Sequence, residues 1–90
     1  MKAYKFLNAN YVAKIYDSYN FDFDNNYNDV VKNLSKSGDI WDMSLEQINI
    51  LREELDDYFA GIFLLNKEYL NDCHIMLNEI IDDVEYDLLN

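Results

Sequence analysis

The stretch Asp22-Phe23-Asp24-Asn25-Asn26-Tyr27-Asn28 sets oxygen-bearing side chains at alternate positions, the pattern of a calcium-binding EF-hand loop. That loop needs a glycine at its sixth position for a sharp turn and a bidentate glutamate at its twelfth. The corresponding residues are Tyr27 and Asn33, so the stretch reads as a polar turn and no metal site is expected. His74 is the one histidine, and no second histidine or glutamate stands at ligand spacing from it on a helix. It falls at the edge of an apolar helical stripe, where a boundary histidine is expected. Cys73 is also single, which leaves neither an internal disulfide nor a cysteine-based zinc site, and its place on the buried stripe gives it a structural role. No nucleophile, base and orienting group share a recognisable spacing, and with only Gly38 and Gly61 there is no phosphate-cradling glycine loop. The chain is therefore read as a non-enzyme without a cofactor.

The side chains that stand out are carboxylates. Residues 1–45 carry six acids against five bases, net −1, whereas residues 46–90 carry twelve acids against Arg52 and Lys67, net −10. Together they make the total of −11. A solvated helix surface ordinarily mixes signs so that Glu and Lys pair four residues apart. Here the pairs at that spacing are Glu53 with Asp57, Glu68 with Asp72, Glu79 with Asp83, and Asp83 with Asp87. Each pair repels by about 0.2–0.5 kcal/mol. The last of them lie where the negative end of the helix dipole adds up to about 1 kcal/mol per anion. The summed cost, roughly 2–4 kcal/mol, is a noticeable share of the roughly 5–15 kcal/mol by which domains are stable. Such a pattern implies a use, and a strongly acidic field repels nucleic acid and anionic membranes while drawing in basic partners.

Ninety residues are enough for one domain with a real core, and a half-apolar composition with eight Tyr and five Phe is far from that of a disordered acidic tail. The whole of 1–90 is read as a single acidic helical domain. Lys5, Asn8 and Asn10 interrupt the N-terminal apolar residues, and Ile62 to Leu65 is too short to span a bilayer, so a soluble, cytoplasmic protein is expected.

The acids must be held by helices. Tyr4, Leu7, Tyr11, Val12, Ile15 and Tyr19 recur at helical spacing and predict a first helix over Ala3 to Tyr19. The alternative is an N-terminal β-hairpin turning at Asn8 to Asn10, since Phe21-Asp22-Phe23-Asp24 alternates as a strand does. A short second helix is predicted over Asp29 to Lys36, then a loop over Ser35 to Asp39. Ser44 with Gln47 three residues on has the form of a capping box opening a third helix. Its apolar side comprises Leu45, Ile48, Leu51, Leu55, Tyr58, Phe59 and Ile62, with Glu46, Glu53, Asp56 and Asp57 opposite. The fourth helix, Lys67 to Leu89, buries Leu70, Cys73, Leu77, Ile80, Ile81, Val84 and Leu88 and turns Glu68, Asp72, Glu79, Asp82 and Asp83 outward. Between them Phe63, Leu64 and Leu65 break the stripe and mark a contact segment or an all-round buried one. The fold class is thus all-α, a compact bundle of about four helices, with α+β as the alternative.

Asp42-Met43-Ser44-Leu45 resembles the attachment motif of acyl carrier proteins, but Met43 separates the aspartate from the serine, and an N-cap role accounts for Ser44. In size, acidity and lack of a catalytic signature the whole chain resembles phage-encoded anti-defence inhibitors, the anti-CRISPR and anti-restriction nucleic-acid mimics. That resemblance is one of composition and carries over no particular residue. It implies an inhibitor that occupies a basic nucleic-acid-binding groove of a host nuclease or CRISPR effector and itself binds neither nucleic acid nor membrane. An antitoxin or immunity protein against a basic toxin is the alternative, and an adaptor subunit joined through Ile62 to Leu65 is a second. The candidate partner-binding residues are Glu53, Asp56, Asp57, Glu68, Asp72, Glu79, Asp82, Asp83 and Asp87, with Ile75 and Tyr86 as apolar anchors among them; Ile50 occupies a similar place on the third helix.

Overall fold

In the computed structural model, which describes residues 3–62 and 68–90, four α-helices follow one another without a sheet among the described residues. They are α1 (Ala9–Asp17), α2 (Tyr27–Asn33), α3 (Leu45–Ile62) and α4 (Glu68–Leu89), with a single 3-10 turn, Ile40–Asp42, before α3. The all-α expectation holds. Phe63 to Leu65, read from sequence as a contact segment or an all-round buried one, lie outside the described residues.

Helix α1 is shorter than the periodicity predicts. Asn8 caps it, its side-chain oxygen accepting from the Tyr11 N–H at 3.3 Å. A short polar side chain that satisfies a free backbone donor in this way ends a helix on its N-terminal side. Residues before the cap are extended, and they are held by partners distant in sequence. The Asn8 N–H donates to the Leu34 carbonyl at 2.9 Å, and the Lys36 N–H donates to the Phe6 carbonyl at 2.8 Å. These bonds close an antiparallel bridge between Leu7 and Ser35. The Lys36 ammonium also donates to the Tyr4 carbonyl.

The same bridge accounts for the shift of α2. Sequence periodicity runs the helix to Lys36, but Ser35 and Lys36 are drawn out to pair with Phe6–Asn8, and α2 ends at Asn33. Gly38 then reverses the chain at a φ of 116°, a left-handed conformation that favours glycine. The β-hairpin alternative fails because Asn8–Asn10 begins a helix and the Phe21–Asp24 stretch pairs with nothing as a strand. Asp22 instead makes a polar turn: one carboxylate oxygen accepts from the Asn25 N–H at 3.2 Å and the other from the Asn25 side-chain amide at 2.6 Å.

Helix α3 opens on the capping box that the sequence displays. Ser44 Oγ accepts from the Gln47 N–H at 3.2 Å, and Gln47 Oε1 accepts from the Ser44 N–H at 2.9 Å. Its Ile48, Leu51, Leu55 and Phe59 meet Cys73, Leu77, Ile80, Ile81 and Val84 of α4 in one core, closed on the other side by Val12, Ile15, Val30, Val31 and Leu34. Leu70 is buried as well. Leu88, predicted to belong to the buried stripe, is exposed in the final turn of α4. Ile50, read as an outward residue, is half-buried.

Burial pushes the Cys73 thiol up from 9.0 to about 12. The hydroxyls of Tyr11, Tyr27 and Tyr58 also lie above their ordinary 10.0. Burial is the chief cause in each, reinforced by Asp29 at Tyr11, by Asp83 at Tyr27 and by Tyr16 at Tyr58. All four groups bind their proton more tightly in the folded chain than in the unfolded one. The stability this confers is fully present below about pH 9 and is lost as pH rises through the folded-state values. The urea midpoint is therefore expected to fall steadily above about pH 9, and Cys73 to react with a thiol reagent only as the chain unfolds. Rapid labelling of Cys73 in the native protein at neutral pH is the contrary result.

Candidate functional site

Helices α3 and α4 run antiparallel, as their cross-links show. Arg52 Nη1 lies 2.5 Å from Asp82 Oδ1 and its Nη2 lies 3.1 Å from Glu85 Oε2. One turn further along α3, Asp56 Oδ1 lies 2.8 Å from His74 Nε2 and accepts from the Asn78 amide at 3.2 Å. The His74 ring stacks on Phe59, centroids 4.7 Å apart and planes 8° apart. His74 is thus the half-buried boundary residue the sequence implies, with a carboxylate partner that its spacing does not reveal.

All eleven candidate partner-binding residues are exposed, but they form more than one surface. Asp56 and Asp82 belong to the seam just described. Glu53 and Asp57 each follow a seam residue by one position, about 100° further round α3, and so turn away from α4. Asp83 faces α2, accepting from the Tyr27 hydroxyl at 3.3 Å, and Asp87 is one turn beyond it. The face of α4 directly opposite its buried stripe comprises Glu68, Asp72, Ile75, Glu79 and Tyr86, with Asp82 at its seam-side edge. Ile75 is 47% exposed and Tyr86 72%, so each presents apolar surface among carboxylates. Leu89, 64% exposed, continues that surface past Tyr86.

The electrostatics are less one-sided than charge counting implies. Arg52 bridges two carboxylates and the Tyr27 hydroxyl serves a third, offsetting part of the repulsion. Among the described residues, Glu53, Glu68, Asp72, Glu79 and Asp87 take part in no ion pair. Raising salt from low to moderate ionic strength should screen these unpaired acids more than it weakens the Arg52 bridge. A relief of about 0.5–1 kcal/mol corresponds to a rise in Tm of roughly 3–8 °C for a domain of this size. A neutral osmolyte at matched water activity is the control, and a Tm that falls with salt shows that the Arg52 network dominates.

Sequence reasoning missed Glu54, Arg52 and a cluster of four aromatic residues. Glu54 sits among the acids of α3 yet is buried, and both its carboxylate oxygens accept from the Phe6 N–H, at 3.0 and 3.3 Å. Its wheel position beside Tyr58, at the edge of the apolar side, was a usable signal. Arg52 as a clamp across the seam carried no local signal. The aromatic side chains of Tyr19, Phe21, Phe23 and Tyr69 meet at one flank of α4, and nothing in their separate spacings shows it. No group of three or more His, Cys, Asp or Glu among the described residues converges as a metal site. No helix among them is long and apolar enough to cross a membrane.

Comparison of the chain with protein-family models, with curated proteins and with solved structures finds no match in any of the three. The fold and the charge distribution are what define its class, an acidic helical domain with an outward face of carboxylates and exposed apolar side chains on α4.

Proposed function

We propose that this protein is an inhibitor that docks the outward face of α4 on a basic nucleic-acid-binding groove of a host defence nuclease or CRISPR effector and keeps nucleic acid out of it. The observation that carries this reading is the combination on one face of Glu68, Asp72, Glu79 and Asp82 with the exposed Ile75 and Tyr86. Solubility alone explains carboxylates, but it does not explain a phenol ring and a branched aliphatic placed among them on the side opposite the core. At an interface the charges steer encounter and fix orientation, while buried aromatic and aliphatic anchors slow dissociation.

Spacing decides how the mimicry works. Successive acids on this face stand three to seven residues apart, roughly 5–10 Å along the axis at about 1.5 Å per residue. Duplex DNA carries one charge per about 1.7 Å of axis. The helix is thus a sparse copy of a phosphate row, so it competes through its apolar anchors as well as through charge. Such a complex loses affinity with salt less steeply than the nucleic acid it displaces.

The test is a pull-down from host lysate at low salt, eluted with rising salt, followed by competition of the captured protein with its own nucleic acid. The expected outcome is a nuclease or nucleic-acid-guided complex whose nucleic-acid binding is lost in proportion to the inhibitor bound. A captured target that holds nucleic acid and this protein together removes the mimic reading.

A further inference from the structure

Beside the outward face of α4, the end of α1, the loop after it and the start of α4 line a half-open cavity of about 200 Å³. Its lining includes the aromatic residues Tyr16, Tyr19, Phe21, Phe23 and Tyr69, and among the described residues Asp72 is the one charged residue that lines it. Tyr19 and Tyr69 meet edge to face at 5.3 Å with planes 68° apart, and Phe21 and Phe23 at 4.8 Å with planes 73° apart. Within each pair the two rings therefore stand in different planes. Tyr19 is 75% exposed, so it contributes little to the core and forms part of the cavity's rim.

We propose that this cavity receives an arginine side chain of a basic protein partner. A volume of about 200 Å³ is below the roughly 300–1,000 Å³ of pockets for drug-sized ligands and suits a single side chain. Aromatic faces attract a cation through their quadrupoles, and a planar guanidinium also stacks on them, which an ammonium does not. Asp72 supplies the carboxylate that a guanidinium engages with two parallel hydrogen bonds. The surrounding field favours a cation too, since Asp22 and Asp24 flank Phe23 in the chain and the protein carries a net charge of −11. Asp72 lies on both the cavity wall and the outward face of α4, so a partner seated on that face has the cavity within reach of its side chains. That the arginine comes from a protein rests on the function proposed above; the cation chemistry of the cavity does not.

The experiment is an NMR titration of the whole chain with N-acetyl-arginine methylamide, with its citrulline counterpart, which has the same shape without the charge, and with tetramethylammonium. The arginine probe is expected to bind saturably, with its side-chain methylene protons shifted upfield by the rings. The citrulline probe should bind at least about five-fold more weakly, and Tyr19→Leu, which keeps apolar bulk at an exposed position, should weaken the arginine probe about three-fold or more. Absence of binding, equal binding of the citrulline probe, or an unchanged affinity in Tyr19→Leu overturns the proposal. So does tighter binding of tetramethylammonium than of the arginine probe, which assigns the cavity to a small quaternary ammonium. Because the titration uses this chain alone, a negative result leaves the α4 reading standing. A positive one survives a pull-down that finds no nucleic-acid-binding target.

Discussion

Replacing Glu54 with alanine is expected to destabilise the protein by about 2–3 kcal/mol, whereas Glu54→Gln should cost less than half of that. Glu54 is 9% exposed, and its two oxygens are the acceptors for the Phe6 N–H. Removing the carboxylate leaves that donor unsatisfied in a part-buried place, and a hydrogen bond to a charged group is among the stronger kinds. More is lost than one bond. Phe6 precedes Leu7, which is 2% exposed in the core, and the Phe6 carbonyl accepts from Lys36, so the carboxylate fixes the segment that closes the bundle over α2 and α3. Glutamine retains an acceptor oxygen in the same place. Urea unfolding measures both variants, and hydrogen exchange at the Phe6 amide reports whether the damage begins at the N-terminal segment. An alanine variant with the parent's urea midpoint shows that the segment is held by its pairing with Ser35 and Lys36 alone.

Glu54 also shows where a linear reading stops. Periodicity found the buried sides of α3 and α4 because each helix is long, carries its own pattern and presents it to one core; of the stripe on α4, only Leu88 runs past the core into solvent. The capping box of Ser44 and Gln47 was legible for a similar reason, since its partners are three residues apart. Residues 3–8 were misread because their hydrogen bonds go to residues 34, 36 and 54, and nothing local distinguishes an apolar segment that will pair from one that will coil. The candidate face was half legible. Exposure of all eleven residues followed from their helical phase. Their division among a seam, a side facing α2 and one outward face depends on Arg52, His74 and Tyr27, whose partners lie eighteen to fifty-six residues away. The aromatic cavity is the same lesson in stronger form, because it joins the loop after α1 to the start of α4.

Reversing charge at Glu79 and Asp87 should separate what the acids do for the fold from what they do for a partner. Both residues are exposed and stand four positions from Asp83, one on each side. Glu79→Lys and Asp87→Lys thus turn two repulsive neighbours into attractive ones, and Lys at position 87 also places a cation at the negative end of the helix dipole. Asp83 is left in place because it accepts the Tyr27 hydroxyl that ties α4 to α2. The double variant is expected to be more stable than the parent by about 0.5–1.5 kcal/mol. Against a captured basic target, its affinity is expected to fall about 10- to 100-fold, chiefly through slower association, because Glu79 lies on the outward face, Asp87 lies beside it on the side turned to α2, and charges on and around a docking face act on encounter. Tyr86→Ala makes the opposite kinetic demand. At 72% exposure the ring contributes little to the core, so the fold should tolerate its loss, while dissociation should speed up about ten-fold or more if the ring anchors the complex. A charge-reversed protein that is more stable yet inhibits poorly means that these carboxylates are held at the fold's expense. One that is more stable and inhibits as the parent does means that Glu79 and Asp87 are solvated surface, and the binding face must then be sought on the aromatic flank of α4, where Asp72 remains.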